Sequence, residues 1–366
     1  MDNINLFIIV AVVKIALVAF LLLTGVAYMT WLERKVIGRI QNRWGPTRVG
    51  PFGLLQPLAD GIKFILKEDM VPDKVHKVLY IMAPMLALIM SLISIAIIPF
   101  GETISVGGTT TALQITGVAQ PNGSHPLDIN IGLLIILGAT SIGVYGIALA
   151  GWSSNSKYAL LGSLRASAQM ISYELALGLS LVGVLILSGT LSLRGIVDGQ
   201  IAGSAHPWLG ISWLGFLPHW YIFPQFIAFF VYLMAAYAET NRIPFDLPEA
   251  ETELVAGYHT EYSAMKFAMF FMAEYVNMIT VGCIATLLFF GGWHGPSFGP
   301  PLVRALLPVF WFSLKIFFFM FVYIWIRGTL PRFRYDQLMA FGWKFLLPIA
   351  IANIIVTSLI VALRGA

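Results

Sequence analysis

Between positions 239 and 261 the chain places Glu239, Asp246, Glu249, Glu251, Glu253 and Glu261 against one basic residue, Arg242. Six of its eighteen acidic residues therefore fall in a single connection between two apolar segments. Carboxyls this close raise one another's proton affinity, and burial raises it further, so the cluster has the chemistry to hold or pass protons near neutral pH. Pro244 and Pro248 forbid a continuous helix across the first half. From about Glu249 one short helical turn is allowed, with Glu249 and Glu253 on one face and Glu251 pointing elsewhere. A solvated acidic loop is the ordinary alternative, because acid runs usually face water.

Further titratable residues stand inside apolar runs. Glu174, Glu274 and Lys315 interrupt stretches that should be apolar, and Glu239 closes another. An ionisable group at membrane depth costs about 2.5–3.5 kcal/mol on insertion scales unless it is paired or wetted, so each is a functional candidate. One shared wet interior would house them at lower cost than separate sites. The competing reading of Glu174 is a protonated carboxyl that merely joins helices.

The elements that must position these groups are membrane spans. Of 366 residues 58% are hydrophobic and 11% charged, and the mean hydropathy is +0.83. That composition describes an all-α polytopic membrane protein, a single integral domain over 1–366. Eight apolar stretches are long enough to cross, at about 5–30, 78–100, 129–151, 168–189, 219–239, 263–290, 303–326 and 339–363; the sixth has length to tilt or break. MDNINLF lacks a basic signal-peptide region, so the first span is expected to be retained.

Nine basic residues, from Arg34 to Lys77, lie between positions 31 and 77. Connections expected on the same side add Lys157, Arg165, Arg242, Arg327, Arg332 and Arg334, whereas the other side holds Arg194, Arg304 and Arg364. The positive-inside rule makes the basic side cytoplasmic and puts both termini outside. The net charge of +4 then follows from topology, without nucleic acid as a partner. Cys283 is the single cysteine, which excludes a disulfide, a thiolate-held iron–sulfur cluster and a thiolate metal site within the chain. The histidines show no haem-type pairing within a span, and no phosphate-binding glycine loop is present. No metal ligand set and no catalytic residue are assigned.

Two further stretches complete the basic side. In PFGLLQPLADGIKFILKED, Gln56, Asp60, Lys63 and Lys67 recur at spacings of four, three and four, with leucines and isoleucines on the other face. The pattern predicts an amphipathic helix lying in the interface. Glu33, beside Arg34 and Lys35, reads as part of a basic interfacial anchor, and Asp336 as the surface partner of an arginine.

Four motifs stand in order: ERKVIGRIQNRWGPTRVGPFGLLQPLADGIKFILKE, GWSSNSKYALLGSLRASAQMISYE, AETNRIPFDLPEAETELVAGYHTEYS followed by FFMAEY, and RYDQLMAFGWKFLLP. Together they resemble the H-type membrane subunit of the proton-pumping NADH:quinone oxidoreductase, respiratory complex I, the family called subunit 1 in mitochondria. The resemblance runs from about 31 to 348 and leaves the outer loops 101–127 and 190–218 unexplained.

It implies a component of a bacterial plasma membrane, with cytoplasmic motif-rich loops that help build a quinone chamber. Quinone is then the substrate, while NADH, FMN and iron–sulfur clusters belong to partner subunits. The partners implied are the hydrophilic quinone-site subunits and the small membrane subunits of the pumping arm. Arg34, Arg43, Phe52, Leu55, Asp60, Phe64 and Lys67 would frame the quinone, with Arg48 at the channel border. Glu174, Glu239, Asp246, Glu249, Glu251, Glu253, Glu261 and Glu274 would form the proton path. Quinone reduction would shift the acidic loop, and protons would rearrange along Glu253, Glu239, Glu174 and Glu274. The competing classes are a stand-alone cation/proton antiporter using the same carboxyls, which predicts discontinuous helices at mid-membrane, and the equivalent subunit of a membrane-bound hydrogenase.

Overall fold

The computed structural model describes residues 2–101, 103–106, 109–112, 114–115, 129–202, 218–246 and 255–365. Long runs without a breaker become helices: α1 Asp2–Ile40, α2 Gln56–Leu66, α3 Lys77–Ile97, α4 Gly132–Ser153, α5 Lys157–Ser188, α6 Leu193–Ala202, α7 Phe226–Glu239, α8 Ala264–Phe289, α9 Pro301–Thr329, α10 Tyr335–Phe341 and α11 Leu347–Gly365. A π-helical stretch, Gly342–Leu346, joins α10 to α11. Two short antiparallel strands, β1 Thr103–Val106 and β2 Thr109–Ala112, are the exception to this all-α architecture among the described residues.

Seven helical stretches are long and apolar enough to cross a membrane, namely α1, α3, α4, α5, α8, α9 and the α10–α11 unit. The shorter α7 has fourteen residues, about 21 Å of rise against a hydrocarbon core of about 30 Å. Turns at 221–225 replace the first part of the span expected from 219. The run expected to tilt or break is one unbroken helix, α8, the most enclosed of the seven, with 61% of its apolar window buried. Its own Phe289 is fully buried, as are Tyr173 of α5 and Tyr232 and Tyr237 of α7. In contrast, α1 buries 17% of its window and lies at the edge.

Two boundaries move relative to the sequence reading. The first helix continues ten residues past 30 to Ile40, because Leu, Glu, Arg and Lys are good helix formers even where hydropathy has ended. Likewise α5 starts at Lys157 instead of 168, across a stretch whose Lys157 and Arg165 depress hydropathy but not helix formation. It ends where Gly189 adopts φ 67° and its N–H donates to the Leu185 carbonyl, a left-handed cap that suits glycine. Glu174 consequently sits near the middle of a 32-residue helix.

The interfacial helix is present as α2, none of whose residues is buried. It packs beside α1 and α8, and leaves Leu58, Ile62, Ile65 and Leu66 exposed. An exposed apolar stripe opposite Asp60 and Lys63 is what a helix needs to rest in a membrane interface.

Candidate functional site

The connection leaving α7 is held by one side chain from α5. Gln169 is fully buried, and its Nε2 donates to the carbonyls of Ala238 and Phe245 at 2.8 Å and to Asn241 Oδ1 at 3.3 Å. Buried carbonyls at a helix end need donors, and a glutamine amide reaching across from a neighbouring helix supplies them. Phe245 then packs between the rings of Tyr173 and Phe333, and Phe333 N–H donates to the Pro244 carbonyl at 3.1 Å. The chain is thus fixed on both sides of Arg242.

Arg242, itself buried, lies 3.4 Å from Glu274 Oε2 and 3.8 Å from Glu33 Oε2. Its guanidinium covers the Tyr275 ring at 4.2 Å. Tyr275 donates its hydroxyl proton to Glu33 Oε2 at 2.5 Å, and Arg327 pairs with Glu33 Oε1. Two cations and two carboxylates from α1, α8, α9 and the acidic connection therefore balance formally at one point. Pairing of this kind offsets the desolvation that each charge would otherwise suffer. Asp246, four residues along, is buried and lies 3.5 Å from Arg332.

The sequence pattern makes Glu33 part of a surface anchor, yet it is 6% exposed. A signal is available in the chain: Leu22, Val26, Met29 and Glu33 are spaced four, three and four apart, and all four are buried. They share the face that α1 turns to the bundle. The carboxylate is thus carried inward by the same helix that displays Arg34 outward.

Glu174 and Glu239 form a different environment. Glu174 accepts a hydrogen bond from the Ser141 hydroxyl on α4. Glu239, at the end of α7, is close enough to Glu174 for the two charges to repel. Among the described residues neither has an ion-pair partner. Tyr323, buried on α9 and stacked on Tyr237 at 3.8 Å between ring centres, feels both Glu239 and Arg242 electrostatically. It stands between the paired cluster and Glu239, a placement that nothing in its sequence context announces.

At the basic-side surface, Arg34 pairs with Asp60 at 2.8 Å, and Gln56 donates to the other oxygen of Asp60 at 3.0 Å. Phe64 of α2 meets Phe267 of α8 at 6.2 Å between ring centres. Phe52 and Leu55 are exposed, Phe52 with φ 55° in the turn before α2. Arg43 bonds locally to Gln41, and Lys67 caps the end of α2 with its backbone N–H. The structure therefore brings Arg34 to Asp60 but does not gather Arg43 and Lys67 with them. Glu249, Glu251 and Glu253, with the helical turn expected from Glu249, lie outside the described residues.

The connection returns to the bundle through a polar seam. Tyr80 donates to the Glu261 carbonyl at 2.5 Å, and Lys266 pairs with Asp69 at 2.9 Å. Ser263 binds the Met70 N–H, so the exit from α2 is tied to the end of the acidic connection. His259 is buried here against Tyr258, Phe267, Phe270 and Phe271, and burial pushes its imidazole down to about 3.

Lys315 does not share the wet interior expected for it. Its Nζ donates to the carbonyls of Phe290, Gly292 and His294 at 2.8–2.9 Å, past the C-terminus of α8. A cation there satisfies carbonyls that the helix end leaves free and complements the helix dipole. The expected pair Arg334–Asp336 is present at 3.5 Å and highly exposed. Among the described residues no group of three or more His, Cys, Asp or Glu side chains is arranged to hold a metal ion.

The family model described as NADH dehydrogenase matches residues 13–358. A relative from Koribacter versatilis, named as the second of its H-type subunits of NADH-quinone oxidoreductase, is 70% identical over all of both chains. A second H-type subunit from Geobacter metallireducens is 53% identical over 96% of this chain and 95% of its own length. A first H-type subunit from Solibacter usitatus is 51% identical over 99% of each. With the family model and the full-length relatives in agreement, the chain belongs to the NADH dehydrogenase family of membrane proteins that includes the H-type subunit of NADH-quinone oxidoreductase.

Proposed function

We propose that this chain is the membrane subunit of a proton-pumping NADH:quinone oxidoreductase that couples quinone reduction at its basic face to proton movement through buried carboxyls. The observation that carries this reading is the position of the Glu33–Arg242–Glu274–Arg327 cluster. It lies where the α1–α2 surface, the acidic connection and the α8–α9 interior meet. A change of charge at the quinone is felt there and passed to Glu239 and Glu174, which lack a cation to hold them ionised. The names of the relatives are those of oxidoreductase subunits, which favours this reading over an antiporter or a hydrogenase component.

Quinone is the substrate, approached along α2 and framed by Arg34, Asp60, Phe64, Phe52, Leu55, Arg43 and Lys67. NADH, flavin and iron–sulfur clusters belong to partner subunits that dock on the basic side. That side faces the bacterial cytoplasm, α7 completes an eighth span, and both termini lie outside. The path for protons runs through Asp246, Glu249, Glu251, Glu253 and Glu261 of the connection and on to Glu239, Glu174 and Glu274. In this path Glu274 is held ionised by Arg242, so it takes up a proton only when that pair opens.

Purification in mild detergent through a tag on this chain, followed by assay of NADH-driven quinone reduction, tests the proposal. A large assembly with inhibitor-sensitive activity is expected, and Glu249→Gln with Glu253→Gln should abolish that activity while the assembly persists. A chain that elutes alone and exchanges a cation for protons in liposomes would overturn it.

A further inference from the structure

A cavity of about 580 Å³ opens between α1, α8, α9 and the end of α3, and none of the residues of the charged cluster lines it. Its wall on α1 runs from Lys14 through Leu21 and Gly25 to Trp31. These positions span about 25 Å of helix, most of the hydrocarbon thickness of about 30 Å. Across it stand Ile279 of α8 and Ile316 of α9. Among the described residues that line it, Lys14 alone is ordinarily charged, and it lies at the end remote from the basic connections.

The dimensions decide what fits. A partner's transmembrane helix about 10 Å across and 25 Å long would need about 2,000 Å³, several times the space present, so such a helix can cover the mouth but not fill the cavity. An unbranched hydrocarbon chain is narrow enough to run its length. Gly25 creates part of that width, because a Cβ placed there would meet nothing within 4 Å. Lipid tails are as apolar as the leucines of the wall, so the wall by itself gives no selectivity. Selection must come from the charged end, where Lys14, inside the first span, extends its ammonium on a flexible stem towards the headgroups.

We propose that this cavity is a binding site for one acyl chain of an anionic phospholipid, whose phosphate is held by Lys14 in the leaflet remote from the basic connections. The lipid fills the gap between the loosely packed α1 and the bundle, and so sets the position of the helix that carries Glu33. It is a structural ligand, distinct from the quinone substrate.

The test uses the intact purified complex in phosphatidylcholine nanodiscs doped with phosphatidylglycerol bearing a diazirine at its acyl terminus, or with phosphatidylcholine bearing the same chain. After photolysis, adducts are mapped by mass spectrometry. The phosphatidylglycerol probe should label α1 between Leu17 and Met29, and Ile279 or Ile316, about fivefold more than the phosphatidylcholine probe, the ratio one lysine confers on an anionic lipid. Lys14→Gln should remove that preference and Lys14→Arg should keep it. Gly25→Leu, which places its side chain in the cavity, should reduce labelling by both probes. Equal labelling by the two lipids in the unaltered chain, or a preference that survives Lys14→Gln, would overturn the proposal. So would displacement of both lipids from these peptides by a diazirine-tailed quinone, which would assign the cavity to the substrate.

Discussion

Two sets of carboxyls lie within one bundle and are treated in opposite ways. Glu33 and Glu274 are clamped by Arg242, Arg327 and the Tyr275 hydroxyl, whereas Glu174 has a serine hydroxyl and Glu239 is repelled by Glu174. The proposed function gives the same residue type two jobs. A carboxylate matched with a guanidinium is held ionised and ties helices together. One without a cation, in apolar surroundings, exchanges its proton when the neighbouring field changes. Tyr323 is in electrostatic reach of Glu239 and Arg242, so it stands at the boundary between the two sets.

The strongest way to break this comparison is Arg242→Met. It removes the guanidinium paired with buried Glu274 and one of the two beside Glu33, which keeps Arg327, and breaking a buried pair by removing one partner costs about 3–5 kcal/mol. The amount of assembled complex recovered in detergent should fall steeply, together with its thermal midpoint. Glu239→Gln should behave differently, because no cation loses its partner. Assembly and midpoint should stay close to those of the unaltered chain, while proton translocation in proteoliposomes falls about a hundredfold, the scale of losing a proton-transfer group. If Arg242→Met assembled normally, or Glu239→Gln failed to assemble, the division into clamp and relay would be wrong.

Gln169→Leu sharpens the division by testing what positions Arg242. It takes the amide donor from the Phe245 carbonyl, at about 1–3 kcal/mol for an unsatisfied buried group, while the Ala238 carbonyl keeps the Asn241 N–H. The thermal midpoint should fall less than for Arg242→Met. Quinone reduction by the surviving complex should also fall, because the guanidinium is no longer fixed between Glu33 and Glu274. An unchanged midpoint with unchanged turnover would show that the connection is held by other means.

His259 supplies a pH-dependent test beside the seam that closes the acidic connection. Its imidazole is depressed to about 3, below the ordinary 6.5, by burial among aromatic rings. The unfolded chain therefore takes up a proton as pH falls through about 6.5 while the folded one does not. Its contribution to stability is whole above that pH and is lost progressively towards pH 3. At pH 5 the loss is about 2 kcal/mol. Thermal midpoints of the complex at pH 7 and pH 5 should differ more for the unaltered chain than for His259→Phe, and equal differences would remove the histidine from the account.

Much of this is legible in the chain for a physical reason. Membrane spans need length and apolarity, and both are written locally, so the helices appear close to where hydropathy puts them. The amphipathic α2 is equally readable from the spacing of Asp60, Lys63 and Lys67. What local pattern cannot carry is partnership across the bundle. Nothing near Arg242 in sequence names Glu33, more than two hundred residues away, and nothing near Gln169 names the carbonyls it satisfies. Lys315 shows the same limit: its depth marks it as titratable, but its role as a cap on α8 depends on where residues 290–294 turn. Glu33 is the instructive case between these, since the spacing of Leu22, Val26 and Met29 already points its side chain inward.

The smallest expected effect concerns the surface pair Arg34–Asp60, and it asks whether the clamp ends at the buried charges. Arg34 is 54% and Asp60 26% exposed, so the pair contributes about 0–1 kcal/mol to stability. Arg34→Gln and Asp60→Asn should each leave assembly and thermal midpoint nearly unchanged, and a double-mutant cycle should return a coupling within that range. If these residues frame the quinone, the change should appear instead as a raised KM for quinone with little change in kcat, because binding is then lost equally from ground and transition states. A large fall in midpoint would extend the structural clamp out to α2. A normal midpoint with normal KM would confine the pair to anchoring α2 against α1 and leave substrate recognition to other residues of the basic face.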